Sequence, residues 1–408
     1  MITAFRCAVC NTVVDVSVPL AFRCPRATAA DPYHVLRLID DGVGDGVPSG
    51  VAGEPNPFVR YGRRLAWWAF ARANGMTDTE CEALTREVAD GFHITPFDQS
   101  AALTAELGVE LWAKDETGNV AGSHKGRHLL SILLHLRAAE LTGRLPARAP
   151  LAIASCGNAA VAAAELAARV DWPLDVYVPD WVDEASVQRL TALGANVQRC
   201  ERREDDPPGD PAMLRFREAT HDGAIPFTVQ GPENAYCLDG GRTIGWEIAD
   251  QAAEAGISLD RIVVQVGGGA LAACVGAGLG RGIRLDTVQA EGCAPLADTW
   301  ERLTEIDHPE RYWAQLMRPW PNPHSVADGI LDDETYDWIA DVEAMVESGG
   351  RPIVAPEPVI EDANALAVGA GYRASHTGSA GLAGVLTVAD DLRRGERVAV
   401  IMSGVTRR

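Results

Sequence analysis

Residues 262–271 read Ile-Val-Val-Gln-Val-Gly-Gly-Gly-Ala-Leu, an apolar run followed by three consecutive glycines. The pattern predicts a buried strand over 262–266, then a glycine turn, then a helix packed closely on the strand. Successive backbone N–H groups and a helix N-terminus converge in such a turn, and this geometry binds phosphate. The residues of this predicted phosphate loop are Gly267, Gly268, Gly269, Ala270 and Leu271. The alternative is a turn in which glycine serves only the close packing of the helix on the strand.

Known nucleotide-binding motifs do not describe this loop. The glycines are consecutive rather than spaced as G-x-G-x-x-G, and no P-loop lysine follows them. The sequence therefore favours neither a dinucleotide fingerprint nor a P-loop.

Strands and helices alternate through most of the chain. One series runs from about residue 110 to 200, and a second starts near Pro226. Short connections between alternating elements imply parallel sheets with helices on both faces, which is an α/β fold. In the first series we predict strands over 109–114, 151–155, 174–178 and 196–199, and helices over 126–141, 159–170 and 183–193.

Composition narrows the classes of partner. The 408 residues allow two or three domains, and 36 basic against 57 acidic side chains give a net charge of −21. This charge argues against binding to nucleic acid or to an anionic membrane surface, so small metabolites are the expected partners. The apolar stretch 262–280 contains six glycines and makes a poor membrane helix. Nine cysteines and no visible signal peptide favour a reducing cytoplasm.

The first 57 residues differ from the rest of the chain. Residues 1–40 hold Cys7, Cys10 and Cys24 among β-favouring residues, which predicts a small knuckle. Residues 41–57 are rich in glycine and proline and indicate a linker. Apolar spacing then predicts helices over 61–74 and 78–90.

Two further loops lie at strand-to-helix junctions. Residues 122–127 read GSHKGR, where Lys125 at a helix start has no obvious packing or capping task; a surface lysine is the alternative. Ser155-Cys156-Gly157-Asn158 follows about thirty residues later, again between a strand and a helix. Two loops of this type are expected to face one crevice.

These motifs together resemble those of the fold-type II pyridoxal-phosphate (PLP) enzymes, the group of threonine synthase, threonine dehydratase, cysteine synthase and the tryptophan synthase β subunit. The resemblance runs in order from about His93 to Ser403. Its segments are LWAKDETG at 111–118 with GSHKGR at 122–127, SCGN at 155–158, DGGRTIGWE at 239–247, the loop at 267–271, SVADGI at 325–330, TGSAG at 377–381 and Ser403-Gly404.

The resemblance implies two parallel-sheet α/β domains with a small Cys-containing N-terminal extension. The implied division is 1–57 for the N-terminal knuckle and linker, 58–124 plus 223–408 for a large PLP-binding domain, and 125–222 for a small α/β domain. The implied assembly is a homodimer.

The resemblance also implies the cofactor and the roles of site residues. Lys125 would be the Schiff-base lysine and would move protons at the substrate's Cα. The loop at Gly267 would hold the cofactor phosphate, Asn158 would hydrogen-bond the ring's 3′ oxygen, and the 155–158 loop would hold the substrate carboxylate. Ser403 would face the pyridine nitrogen. A hydroxyl there does not stabilise a protonated ring, which favours loss of a β or γ leaving group.

Two departures bear on the substrate. His124 stands where threonine synthases and dehydratases commonly have Phe, and a His there resembles the tryptophan synthase β subunit. It is a candidate phosphate ligand, with a packed ring as the alternative. Ala159 and Ala160 follow Asn158, where threonine synthases usually offer hydroxyl donors to a phosphorylated substrate.

The N-terminal cysteines pose a separate question. Cys7-Ala-Val-Cys10 followed by Cys24-Pro25 resembles the zinc-knuckle-like start of some threonine synthases, but Ala27 stands where the fourth Cys is expected. His34 could complete a set of four ligands. We favour a knuckle that folds without metal, because a lost ligand costs much of such a site's affinity.

We therefore expect a PLP-dependent lyase that acts on a small L-amino acid by elimination, with replacement left open, like a threonine or serine ammonia-lyase. The alternatives are threonine synthase or another β/γ-replacement enzyme, and a cofactor-binding pseudoenzyme. The intact Lys125, Asn158 and Gly267 loop count against the pseudoenzyme.

Overall fold

The computed structural model describes residues 2–28, 30–40, 53–280, 282–303 and 306–407. Most of the predicted linker, residues 41–52, lies outside this range. The strands are β1 (Ile2–Cys7), β2 (Val13–Asp15), β3 (Leu36–Asp40), β4 (Phe97–Gln99), β5 (Glu110–Asp115), β6 (Leu151–Ala154), β7 (Leu174–Pro179), β8 (Asn196–Cys200), β9 (Ile225–Pro226), β10 (Arg261–Gln265), β11 (Arg284–Ala290), β12 (Pro352–Ala355) and β13 (Arg397–Met402).

The α-helices alternate with these strands after β5. They are α1 (Pro57–Arg60), α2 (Ala66–Ala73), α3 (Asp78–Val88), α4 (Ala101–Leu107), α5 (Lys125–Leu141), α6 (Asn158–Arg169), α7 (Glu184–Ala192), α8 (Pro211–His221), α9 (Tyr236–Glu254), α10 (Ala270–Leu279), α11 (Pro295–Arg302), α12 (Trp313–Leu316), α13 (Trp338–Ser348), α14 (Glu357–Gly369) and α15 (His376–Thr387). No helix in the described ranges is both long enough and apolar enough to cross a membrane.

Internal contacts divide the chain into two compact units. The first comprises Met1–His93 and Lys125–Gly240, and the second Ile94–His124 and Gly241–Arg408. These bounds place residues 58–93 in the first unit, because α2 and α3 pack against α5. The three-domain division expected from the sequence, which placed residues 58–93 with 223–408, stays a prediction.

The first unit holds two sheets. β2, β1 and β3 form an antiparallel N-terminal sheet in that order. β8, β7, β6 and β9 form a parallel sheet, flanked by helices of the predicted α/β series. The predicted strands and helices between residues 151 and 200 are confirmed, each within a residue or two of its expected ends.

One predicted helix of the first unit is interrupted. The expected helix over 61–74 is a short 3-10 turn, Gly62–Arg64, followed by α2, with Leu65 extended between them. The cause is a distant side chain, since the Asp239 carboxylate accepts a 2.6 Å hydrogen bond from the backbone N–H of Ala66. Asp239 thus supplies the N-terminal cap that the local sequence lacks.

The second unit is built on one mixed sheet in the order β12-β11-β10-β13-β5-β4. All of its pairs are parallel except β4 with β5, an antiparallel edge that the sequence did not predict. All five residues of β10 are buried, as expected for a central strand covered on both faces. The predicted α/β fold with parallel sheets is confirmed.

α15 packs unusually closely on this sheet. A Cβ at Gly381 would lie 2.9 Å from the carbonyl oxygen of Val263, and one at Gly384 would lie 2.6 Å from the Val263 side chain. Glycine is therefore required where the TGSAG helix crosses β10.

Candidate active site

The glycine loop leaves the carboxyl end of β10 and opens α10. Gly269 is the N-cap of α10 with φ 97°, a left-handed conformation that favours glycine. The first N–H groups of a helix have no acceptor within the helix, and its dipole is positive at this end. The loop therefore has the geometry predicted from the sequence, and it suits an anion.

An acidic segment packs against the other side of this loop. A Cβ at Gly267 would lie 2.5 Å from Asp332 Oδ2, and one at Gly269 would lie 2.5 Å from Asp341 Oδ2. The N–H of Asp337 donates to the carbonyl of Gly268 at 2.8 Å. This packing alone accounts for the absence of side chains here, so binding of phosphate by Gly267–Leu271 stays a prediction.

Ser403 follows β13, the strand next to β10, and is buried. Its hydroxyl oxygen accepts a 2.7 Å hydrogen bond from the Gln265 side-chain amide. Its carbonyl accepts bonds at 3.0 Å from both the backbone N–H and the ring Nδ1 of His124. Because a carbonyl only accepts, Nδ1 of His124 carries a proton. The structure thus brings His124 and Ser403 together within the second unit, at the same sheet edge as the glycine loop.

Close backbone contacts fix the turn that carries Ser403. The N–H of Ser403 donates to the carbonyl of Gly378 at 2.9 Å. A Cβ at Gly378 would collide with the carbonyl oxygen of Gly404. The TGSAG and Ser403-Gly404 segments, about 25 residues apart in sequence, therefore form one structural element, which explains glycine at position 378.

Ser123, which directly precedes His124 and pairs with Gly404 in an isolated antiparallel bridge, has an unsatisfied hydroxyl. Its side chain is fully buried, and its Oγ has no hydrogen-bond partner among the described residues. Buried polar atoms are normally paired, so this hydroxyl is open to a polar group from outside the chain. The sequence did not lead us to predict Ser123 as a site residue, although it lies in the GSHKGR segment beside His124 and Lys125.

Lys125 is the first residue of α5 and is half-buried. The chain contains one other lysine, Lys114. Lys114 is fully buried, and its ammonium donates to Glu247 Oε2 at 2.6 Å, the Thr95 carbonyl at 2.7 Å and Gln251 Oε1 at 2.8 Å. These three acceptors match the three donors of an ammonium group, so Lys114 uses all of its donors within the core of the second unit.

The first unit positions the start of α5 through the DGGRTIGWE segment. A Cβ at Gly240 would collide with the carbonyl oxygen of Arg127 and lie 2.7 Å from Ser131 Oγ. The N–H of Gly240 donates to the same Ser131 oxygen at 3.1 Å. α9 therefore crosses the helix that begins at Lys125 at backbone contact distance, which only glycine permits.

The predicted substrate loop lies between β6 and α6 of the first unit. Ser155, Cys156 and Asn158 are half-buried and Gly157 is exposed. The Ser155 hydroxyl accepts a 3.3 Å hydrogen bond from the N–H of Gly157, so the turn is held by its own side chain. Asn158 begins α6, as predicted to within one residue.

Gln265 and the acidic residues at 332, 337 and 341 were also missed from the sequence. Gln265 was visible as the one polar residue of the strand predicted over 262–266. The acidic residues gave no local signal, since they approach the glycine loop from more than sixty residues away.

Comparison with known proteins identifies the family. Residues 88–404 match the family described as "Pyridoxal-phosphate dependent enzyme". The chain belongs to this family, which confirms the resemblance seen in the sequence.

Individual relatives include both synthases and dehydratases. The chain is 25% identical to a threonine synthase of Bacillus sp. (strain ULM1) over 322 residues, 76% of this chain and 82% of the relative. It is 29% identical to a serine dehydratase-like protein of Mus musculus over 193 residues, 47% of this chain and 54% of the relative. A solved structure of a T.th. threonine deaminase is similar, with a TM-score of 0.64 and 22% identity, covering 82% of this chain and 99% of that chain.

The cofactor of this enzyme is pyridoxal 5′-phosphate. Features of the described residues fit it: a helix N-terminus after a glycine loop suits its phosphate, and the buried Ser123 hydroxyl lacks a polar partner within the described chain.

Proposed function

We propose that Lys125 binds the cofactor covalently and moves protons at the substrate's Cα. The observation that carries this assignment is the lysine count. Of the two lysines in the chain, Lys114 directs all three of its donors to buried acceptors. Lys125 is the remaining primary amine of a side chain, and it stands at a helix start in the GSHKGR segment. An amine in such a position serves both as nucleophile and as general base.

The reaction we propose is elimination from a small L-amino acid with a leaving group at Cβ or Cγ, as in a threonine or serine ammonia-lyase. When bound, PLP withdraws electrons from the substrate's Cα and stabilises negative charge there. Ser403 would offer its hydroxyl to the ring nitrogen, and a neutral partner there favours loss of the leaving group. Asn158 would hold the ring's 3′ oxygen, and Ser155 with the 155–158 backbone would orient the substrate carboxylate.

The start of α6 supports an unphosphorylated substrate. Ala159 and Ala160 are buried in α6 and offer no hydroxyl donor. This feature favours serine or threonine over a phosphorylated homoserine.

Threonine synthase, or another replacement enzyme, is the second candidate. The threonine synthase relative covers 76% of this chain, whereas the serine dehydratase-like relative covers 47%. A synthase would need to hold the phosphate of its substrate. The feature to test is therefore a positively charged group that binds this phosphate.

Two experiments test these assignments. Borohydride reduction of the purified enzyme followed by peptide mapping should place the pyridoxyl label on Lys125 and leave Lys114 unlabelled, and folded Lys125→Ala should lose turnover. A label on Lys114, or normal turnover of Lys125→Ala, would refute the lysine assignment.

The substrate is tested by a panel. L-threonine and L-serine should yield keto acid and ammonia, while O-phospho-L-homoserine should release little phosphate. Threonine and phosphate formed from O-phospho-L-homoserine would establish the synthase instead, and binding of PLP without turnover of any panel member would favour the pseudoenzyme.

We also propose that the enzyme is a cytoplasmic homodimer. None of the nine cysteines, all of which lie among the described residues, forms a disulfide, in keeping with a reducing compartment. Light scattering after size-exclusion chromatography measures the assembly, and a mass of one chain would contradict the dimer.

A further inference from the structure

Four metal-ligating side chains converge beside the N-terminal sheet. Sγ of Cys7, Cys10 and Cys24 and a ring nitrogen of His34 all lie within 4.8 Å of one another. Cys10 Sγ is 3.6 Å from Cys24 Sγ, and Cys7 Sγ is 3.3 Å from His34 Nδ1. A tetrahedral zinc ion with Zn–S of about 2.3 Å and Zn–N of about 2.0–2.1 Å separates its ligands by about 3.5–3.8 Å. The cluster therefore already has nearly the dimensions of a zinc site.

The antiparallel pairing of β1 with β3 creates this cluster. Cys7 ends β1 opposite Leu36, and the N–H of Ala8 donates to the carbonyl of Val35 at 2.9 Å. His34 directly precedes that point, so its ring falls beside Cys7 although 27 residues separate them. Sheet pairing thus supplies the fourth ligand that residue 27, an alanine, does not.

The turn after β1 places Cys10 on the same side. The N–H of Asn11 donates to the Cys7 carbonyl at 3.0 Å, and the N–H of Cys10 points to Cys7 Sγ at 3.5 Å.

His34 is oriented for a metal by its second ring nitrogen. Its side chain is 4% exposed, and Nε2 lies 3.2 Å from the Asp31 carboxylate. Since the carboxylate accepts, Nε2 carries the proton and Nδ1 presents its lone pair toward Cys7. A carboxylate–histidine pair of this kind fixes the tautomer of metal-binding histidines.

We propose that Cys7, Cys10, Cys24 and His34 bind one structural Zn²⁺ ion. Three sulfurs and one imidazole select zinc over the oxygen-preferring cations. All four positions are filled by protein, so the ion has no open site and takes no part in catalysis. This proposal replaces the metal-free knuckle favoured from the sequence, where nothing indicated how close His34 comes.

The ion would hold a segment that contacts the lysine helix. Between Cys10 and Cys24, the N–H of Leu20 donates to His135 Nε2 of α5 at 3.2 Å, and the Phe22 carbonyl accepts from the N–H of Ala235 at 2.9 Å. Residue 235 immediately precedes α9, which crosses α5 at Gly240. Metal removal should therefore lower the thermal stability of the first unit.

The test is the zinc content of the purified full-length enzyme, measured by inductively coupled plasma mass spectrometry after growth with zinc. We expect about one zinc per chain in the wild type. The zinc content of Cys24→Ser and of His34→Ala should each be at least tenfold lower than that of the wild type. His34→Cys, which restores four ligands, should retain the wild-type zinc content. Cys81→Ser is the matched control, because Cys81 is equally buried but lies in α3.

Other outcomes overturn the proposal. The wild type could contain no zinc after reconstitution with Zn²⁺, or the zinc content could be unchanged in both Cys24→Ser and His34→Ala. Thiol titration of the denatured wild type could also reveal a disulfide between Cys10 and Cys24. If the variants do not fold, Co²⁺ substitution of the wild type decides. Intense visible bands with sulfur-to-cobalt charge transfer support the tetrahedral site, and a pale octahedral spectrum refutes it.

Discussion

Gln265 donates a 2.7 Å hydrogen bond from Nε2 to the hydroxyl oxygen of Ser403. The same nitrogen faces the carbonyls of Gly378 and Ile401, each at 3.1 Å, so the amide nitrogen and not its oxygen must lie on this side. An amide nitrogen does not accept hydrogen bonds. Ser403 therefore cannot donate to Gln265, and its single proton is left for another acceptor.

This arrangement predicts how substitutions at position 403 act, given the proposed contact with the pyridine nitrogen. Ser403→Ala should lower kcat about tenfold, since a lost hydrogen bond is worth up to about 1.4 kcal/mol. Ser403→Asp should lower it further, because a carboxylate raises the pKa of the ring nitrogen and disfavours expulsion of the leaving group. Steady-state formation of keto acid measures both effects.

Ser403→Thr is the control, since it keeps the hydroxyl and should stay within a few-fold of the wild type. An Asp variant with the rate and the cofactor absorbance of the wild type would show that Ser403 does not contact the ring.

The buried ion pair of Lys114 and Glu247 predicts a large effect on stability. Both side chains are fully buried. Lys114→Met leaves an uncompensated carboxylate in the core and should lower the free energy of unfolding by about 3–5 kcal/mol. Urea denaturation of the apoenzyme measures this change.

The double variant Lys114→Met with Glu247→Leu removes both charges and should recover much of the loss. If the two single effects simply add in the double variant, the pair is not coupled.

Local sequence patterns predicted the elements of the site well. The strand expected over 262–266 is Arg261–Gln265, and the helix expected from residue 126 begins at Lys125. Apolar runs, glycine turns and helical spacing are properties of neighbouring residues, so they survive in any tertiary context.

These local patterns could not predict contacts between elements that are distant in the sequence. The register of β1 with β3 places His34 beside Cys7, and the approach of residues 332–341 surrounds the glycine loop with carboxylates. Neither follows from local periodicity, because each depends on which distant element packs where. The same reason explains the break at Leu65, where Asp239 caps α2 from 173 residues away.

Gly240 predicts a steric effect on the lysine helix. A methyl group there would meet the Arg127 carbonyl and Ser131 Oγ. Gly240→Ala should therefore lower the free energy of unfolding by about 1–3 kcal/mol and reduce kcat, since it displaces the first turns of α5.

Gly369→Ala is the matched control. That glycine lies in α14 with open space around its Cβ position, so the change should be neutral or stabilise by about 0.5 kcal/mol. Equal losses in the two variants would contradict the close crossing of α9 and α5.

His135 predicts how stability depends on pH. The ring is buried in α5, stacked on Tyr236 with centroids 3.9 Å apart, and burial lowers its pKa to about 3. In the unfolded chain the pKa is about 6.5, so between these values the unfolded state binds a proton that the folded state does not. Stability should therefore fall as pH falls below about 6.5, by about 1.4 kcal/mol per unit from this group. Urea denaturation at pH 6.5 and pH 5 should show the wild type losing about 1.6 kcal/mol more than His135→Gln. The side-chain oxygen of that glutamine can still accept from the N–H of Leu20. Equal losses in the wild type and His135→Gln would show that His135 is protonated in the folded enzyme at pH 5.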